Sequence, residues 1–284
     1  TPHPIYTVWV IVLSCVAIVA LQRLPSRWRA WATRLLIIST GLQILVGLGQ
    51  YFGYNPIWYG WRQIPVYRVY GTFGNSGQLG CLLALTFAYI PAWLIPWWVL
   101  GVILSQSFTA AAVLVVIACV RYRKHCPILA VGTVAGGVLL NAVRPLATNT
   151  IPLRLLSWRA GWDLALKRPI TGYGPNSWAE MVPRYQNAHP EIYQVEAFQE
   201  AHNELLGIFF EGGIIAVLII ALWVWDHRAW RSVPLVATGI VCFWWFPFHF
   251  PAMLPVVLLV IGLETPQTEI GETETWTKKA RGKS

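Results

Sequence analysis

An all-α bundle of membrane-spanning helices is the fold class this sequence predicts, and three observations predict it. Of the 284 residues, 56% are hydrophobic and only 12% are charged, against about 25% charged in soluble domains. Apolar runs recur along the chain at lengths suited to a bilayer, which takes roughly 20 apolar residues per spanning helix. Tryptophan is abundant, at 17 residues. Many of these flank the apolar runs, as at Trp97–Trp98 and Trp244–Trp245, where an amphipathic ring favours the membrane interface.

The runs lie at about 5–22, 31–50, 78–91, 93–106, 107–120, 127–143, 205–225, 233–247 and 249–263, which makes about nine spans. Pro91 and Pro96 mark a turn between two of the closely spaced ones. Basic residues follow the first span (Arg23, Arg27, Arg29, Arg34), the fifth (Arg121, Arg123, Lys124) and the seventh (Arg228, Arg231), and fill the tail (Lys278, Lys279, Arg281, Lys283). All four clusters fall on one side of such a bundle, which the positive-inside rule makes cytoplasmic. Loops 51–77 and 144–203 then lie outside. The chain divides into six helices over 1–143, an external loop over 144–203, three helices over 204–263 and a disordered cytoplasmic tail over 264–284. This arrangement starts outside, at Thr1-Pro2-His3-Pro4, with no signal peptide. The expectation is a C-terminal portion of a longer membrane protein, with an odd number of helices before it.

Charge narrows the function. A net charge of +9 has no long basic run and no basic–aromatic RNA motif behind it, so nucleic acid is not the expected partner. Membrane lipids are. Every carboxylate lies after residue 162, and the first 143 residues hold nine basic residues and no Asp or Glu. No acidic pair offers the clustered oxygens that Mg²⁺ or Mn²⁺ wants, so no metal and no cofactor is expected. The five cysteines form no CxxC pair and read as small core residues, without a disulfide framework or zinc site.

The external loop carries positive charge against the topology rule, which asks for a function. Between Leu153 and Leu166, apolar residues recur at helical spacing (Leu155, Trp158, Trp162, Ala165, Leu166), predicting an amphipathic helix on the outer surface. Arg154 lies four residues before Trp158 on one face, and its planar fork of donors suits phosphate oxygens, whether of a lipid head group or of a substrate. Arg159 points elsewhere. "PITGYGPNSW" then breaks the helix with Gly172, Gly174 and Pro175.

Past that break comes "HNELLGIFFEGG". At about 100° per residue, Glu200, Glu204 and Glu211 share one helical face and His202 lies nearly opposite Glu204. His202 therefore faces another part of the protein or the outer cavity, as a general base or as a helix cap. Glu211, about 13 Å deeper along the axis, reads as half of a structural pair. In "RVYGTFGNSGQLG", Gly71, Gly74, Gly77 and Gly80 permit close packing or a re-entrant turn with amide donors.

"RLLSWRAGWDLALKRPITGYGPNSW" followed by "AHNELLGIFFEGG" resembles the O-antigen ligase and polymerase family of bacterial membrane proteins. Its pattern is Arg-x-x-x-Trp, then Pro-x-x-Gly-x-Gly, then His-Asn with a glycine ten positions after the Asn. Arg154, Trp158, Pro169, Gly172, Gly174, His202, Asn203 and Gly213 fit it in order and spacing. "GTFGNSGQLG" is similar to the family's Gly-x-Phe-x-Asn-Pro-Asn, with Ser76 and Gly77 in the last two places. "LSQSFTAAAV" resembles its Ser-Arg-Gly/Ala segment, with Phe108 where the arginine stands. After Gly213, "IIAV" replaces the usual small residues.

The resemblance implies a metal-independent, inverting glycan transferase, multi-pass in the bacterial inner membrane, with its active loop on the periplasmic side. The donor is a glycan on a polyprenyl pyrophosphate and the acceptor a hydroxyl on a lipid or glycan. His202 and Arg154 would be catalytic. Arg159, Arg68, Asn203, Trp158, Gly172 and Gly174 would contact substrate, with Arg68 or Arg159 standing in for the arginine missing at Phe108. The alternatives are a family member acting as a transporter, for bicarbonate for example, or as an accessory protein, and a protein O-oligosaccharyltransferase.

Overall fold

In a computed structural model, the chain is described over residues 4–54, 69–121, 127, 131–132, 135, 151–193, 201–244 and 253–264. Among these residues the structure is all-helical. In chain order the α-helices are α1 (Pro4–Gln22), α2 (Ser26–Tyr51), α3 (Ser76–Phe87), α4 (Ile95–Ser105), α5 (Phe108–Arg121), α6 (Ile151–Ala165), α7 (Trp178–Ala188), α8 (Glu204–Asp226), α9 (Val233–Trp244) and α10 (Leu254–Glu264).

The bundle is built around α3. Its residues from Gln78 to Phe87 are all buried, as expected of a helix that is apolar on every side. It packs against α2, α4, α5, α9 and α10. Trp98 is one of the residues that close this core. It is fully buried, and its indole N–H donates to Thr86 Oγ1 at 3.1 Å. The interfacial place expected for Trp98 is thereby corrected: a buried indole needs a partner for its one donor, and α3 supplies it. A second layer, α6 with α7, packs on the first half of α8 around Ala160, Leu164, Trp178, Val182 and Phe210.

Among the described residues two helices, Ser26–Tyr51 and Glu204–Asp226, are long and apolar enough to cross a membrane. Among these residues, then, two of the nine expected spans are met in full length. The three central runs are cut short by turns at Ala88–Pro91 and at Gln106–Ser107, and a 12-residue helix such as α3 is about 18 Å long against a hydrocarbon core of about 30 Å. The span expected at 127–143 lies almost wholly outside the described residues, as do Arg68, Glu200 and the tail. The two long helices carry wide apolar faces to the outside, with Leu35, Ile38, Leu42 and Leu45 on α2 and Leu218, Ile219, Leu222 and Trp225 on α8 all exposed. So large an unpartnered apolar surface is costly in water and natural in lipid.

One cysteine expectation changes. Cys15, Cys81 and Cys242 are free, but Cys119 near the end of α5 is disulfide-bonded. Spacing along the chain does not report which cysteines meet in space.

Candidate functional site

The polar stretch before α8 is not helical. Asn203 has extended backbone (φ −160°, ψ 104°), and its Oδ1 accepts the Leu206 N–H at 3.0 Å. That is an N-cap, so α8 begins at Glu204. His202, one residue earlier, has φ +51°, a left-handed conformation that histidine tolerates better than most side chains. The helical wheel that set His202 opposite Glu204 is therefore corrected, because His202 is not on the helix. Replacing Asn203 with alanine should cost about 1 kcal/mol, read as a lower melting temperature of the purified protein.

Trp158 fixes the other side of this turn. Its Nε1–H donates to the carbonyl of Ala201 at 2.6 Å, across 43 residues of sequence. His202 is thus held between two ties, Trp158 on α6 to the residue before it and Asn203's own cap bond after it. Arg154 lies one turn from Trp158 on α6. Burial first, and then the Arg154 charge, pull the His202 imidazole from 6.5 down to about 3. The imidazole is therefore neutral at neutral pH. The same Arg154 charge reaches Cys81 on α3, and Glu204's reaches Cys242 on α9, which is close to Cys81 in turn. The packed faces of α6 and α8 thus carry the arginine and the histidine, and α9 packs on both α3 and α8.

The glycines of the pattern form one device. At Gly213 the backbone leaves the helix (φ +62°, ψ −163°) and α8 breaks. In an unbroken helix, the amides of Ile214 and Ile215 would bond to the carbonyls of Phe210 and Glu211. Instead the "PITGYG" loop takes all four groups. Ile214 N donates to Pro169 O at 2.8 Å and Ile215 N to Ile170 O at 3.4 Å. Tyr173 N donates to Phe210 O at 3.0 Å and Gly174 N to Glu211 O at 2.8 Å. A mid-helix break leaves groups that must be paired, and the loop pairs them. The approach needs glycine on both strands: a Cβ on Gly172 would strike the Glu211 carbonyl, and one on Gly213 would strike the Ile170 carbonyl.

The candidate residues therefore sort by position. His202 and Arg154 lie near enough for the Arg154 charge to act on the imidazole. Trp158, Asn203, Gly172 and Gly174 make protein contacts that set the loop and the helix start. Arg159 is exposed, on another face of α6. Phe108 is the first residue of α5. In the Gly71–Asn75 turn, Gln50 Oε1 accepts from Tyr70 N at 3.1 Å and Gly71 N at 3.0 Å, and Gln43 Oε1 accepts from Thr72 N at 2.8 Å. The amide donors expected there are thus largely spent on α2. Asn75 caps α3 through Gly77 N at 2.7 Å. Glu204, which the sequence sets on one face with Glu200 and Glu211 without a role in the site, is 2% exposed, in the first turn of α8, where the helix dipole favours negative charge. Its place one residue after a capping Asn was the available signal.

The sequence profile of the family described as O-Antigen ligase matches residues 64–221, more than half of the chain and every motif above. The chain belongs to the O-antigen ligase family. No curated protein matches it. Membership makes this a membrane-integral protein of the glycan-transfer type, working on lipid-linked glycans. In it, the family's Arg-x-x-x-Trp positions an arginine and ties down a histidine, and the paired glycine motifs build the broken helix beneath them.

Proposed function

We propose that this O-antigen ligase family member transfers a glycan from a polyprenyl pyrophosphate to a hydroxyl of a lipid or growing glycan, at the outer face of the bacterial inner membrane. The observation that carries the proposal is the Trp158–Ala201 bond, which holds the Arg154 face of α6 beside the His202 turn, where the Arg154 charge helps to keep His202 neutral. The acceptor oxygen attacks the anomeric carbon, the carbon–oxygen bond to phosphate breaks, and the pyrophosphate leaves with the electron pair. The hydroxyl proton passes to a ring nitrogen of His202. Arg154 stabilises the charge gathering on the pyrophosphate. A single displacement inverts the anomeric centre.

The two residues are coupled. With a pKa of about 3, the free imidazole is a weak base. A bound pyrophosphate offsets the Arg154 charge that helps to depress it, so the donor raises the basicity of His202 as it arrives. The acid limb of kcat/KM, which reports the free enzyme, should therefore lie near 3–4 rather than 6.5, and the limb of kcat should lie above it. A kcat/KM that falls near pH 6.5 contradicts the pairing. Glycan profiling of a deletion strain tests the activity itself. Loss of polymer or of ligated glycan, restored by the full-length gene, is expected. Unchanged glycans together with altered solute flux into vesicles overturn the proposal in favour of transport.

A further inference from the structure

The turn between α4 and α5 holds a residue that the transfer chemistry above does not use. Gln106 closes α4 in the left-handed conformation (φ +51°, ψ 34°), and its N–H donates to the carbonyls of Val102 and Ile103, both at 3.1 Å. Glycine is the usual residue at such a helix end, because any Cβ there is strained. Both ends of the Gln106 amide, Oε1 and Nε2, are also covered and make no hydrogen bond. A strained backbone and an unpaired buried amide each cost stability, and together they are the marks of a residue kept for a ligand.

The turn lies at the functional end of the bundle. Ser107 packs directly on Gly80 of α3, next to Cys81, the residue that the Arg154 charge reaches. The carbonyl of Leu104 accepts from Val69 N at 3.3 Å, which brings the Gly71–Asn75 turn alongside. Gln106 as a whole is only half-buried, so its covered amide lies at the edge of the core rather than deep within it.

The amide's chemistry identifies the ligand class. Pyrophosphate oxygens only accept hydrogen bonds and would leave Oε1 unpaired. Sugar hydroxyls both donate and accept, and two neighbouring hydroxyls satisfy both ends of one amide. We propose that Gln106 is a sugar-binding residue that grips a pair of hydroxyls, or an acetamido group, on a glycan held at the Arg154–His202 site. This rests on the transfer function proposed above and adds a specificity contact to it.

Strain and function predict opposite signs, which makes the test sharp. Gln106→Gly, in the full-length protein, relieves the left-handed backbone and should raise Tm by about 2–4 °C. The same change should cut glycan product in a complemented deletion strain at least tenfold. Gln106→Asn, which tolerates this backbone and keeps a shorter amide, should retain part of the product. Wild-type product from Gln106→Gly overturns the proposal, and so does a lowered Tm, which would make the amide a fold contact. His202→Ala is run alongside. If it too leaves product unchanged, the transfer function itself has failed; if it abolishes product while Gln106→Gly does not, only the sugar contact has.

Discussion

Gly213→Ala is expected to remove most of the folded, active protein. The native backbone there lies in a region open essentially to glycine alone, at φ +62° and ψ −163°, and forcing another residue into it costs about 1–3 kcal/mol. The new Cβ would also meet the Ile170 carbonyl and lie 2.7 Å from Thr171 N. The chain has one escape. It can heal α8 into a continuous helix, regaining the bonds of Ile214 and Ile215 to Phe210 and Glu211. That frees the helix but expels the "PITGYG" loop, which then loses the partners of Pro169, Ile170, Tyr173 and Gly174. Either way the layer that carries Arg154 comes off its seat. We expect a total cost above about 3 kcal/mol, a large part of the 5–15 kcal/mol typical of a folded domain, read as lost monodisperse protein in detergent. Gly172→Ala should behave alike. Gly174→Ala, whose Cβ meets nothing within 4 Å, carries backbone strain alone and should cost about 1 kcal/mol. Equal effects at all three positions would show that strain, not the close approach, sets the requirement.

Arg154→Ala should lower transfer by about 10²–10³, the usual cost of removing a donor placed to meet developing charge. Arg154→Lys keeps the charge but loses the planar fork, so it should fall in between. A second readout follows from the coupling to His202. Without the Arg154 charge, one of the two causes of the low imidazole pKa is gone, and the acid limb of kcat/KM should move up in Arg154→Ala while staying low in Arg154→Lys. A limb that stays put in Arg154→Ala would assign the depression to burial alone. The same shift has a stability consequence. A histidine that stays neutral when folded but protonates when unfolded favours unfolding as pH falls from 6.5 toward 3. His202→Asn, which accepts the positive φ, should reduce that acid sensitivity.

Much of this was legible in the chain itself. Hydropathy placed eight of the ten described α-helices and helical spacing placed α6, while α7 was not foreseen; that Arg154 and His202 belong to one site is what the family resemblance implies. What the sequence could not disclose is how backbone is used against backbone. Gly172 and Gly213 lie 41 positions apart, and nothing in their composition says that each exists to let the other's carbonyl approach. Spacing likewise cannot tell that Trp158 reaches Ala201, or that Asn203 spends its side chain on Leu206 N and so ends the helical wheel before His202. Periodicity assumes an unbroken helix, and α8 is broken and capped at the places where the motif lies. Several of the described helices fall short of the expected span lengths for a related reason. Hydropathy measures how apolar a run is, and the buried α3 is as apolar as a spanning helix while being only 12 residues long.

The central claim, that His202 and Arg154 act as one transfer site, is tested most directly by single-turnover transfer in proteoliposomes. Wild type, His202→Ala, Arg154→Ala and the double variant would be compared at equal amounts of folded protein. The account predicts that each single variant loses at least about 100-fold and that the double variant loses little more, because groups acting as a unit are not additive. Losses that multiply in the double variant, or product at wild-type rates from either single variant, would contradict it.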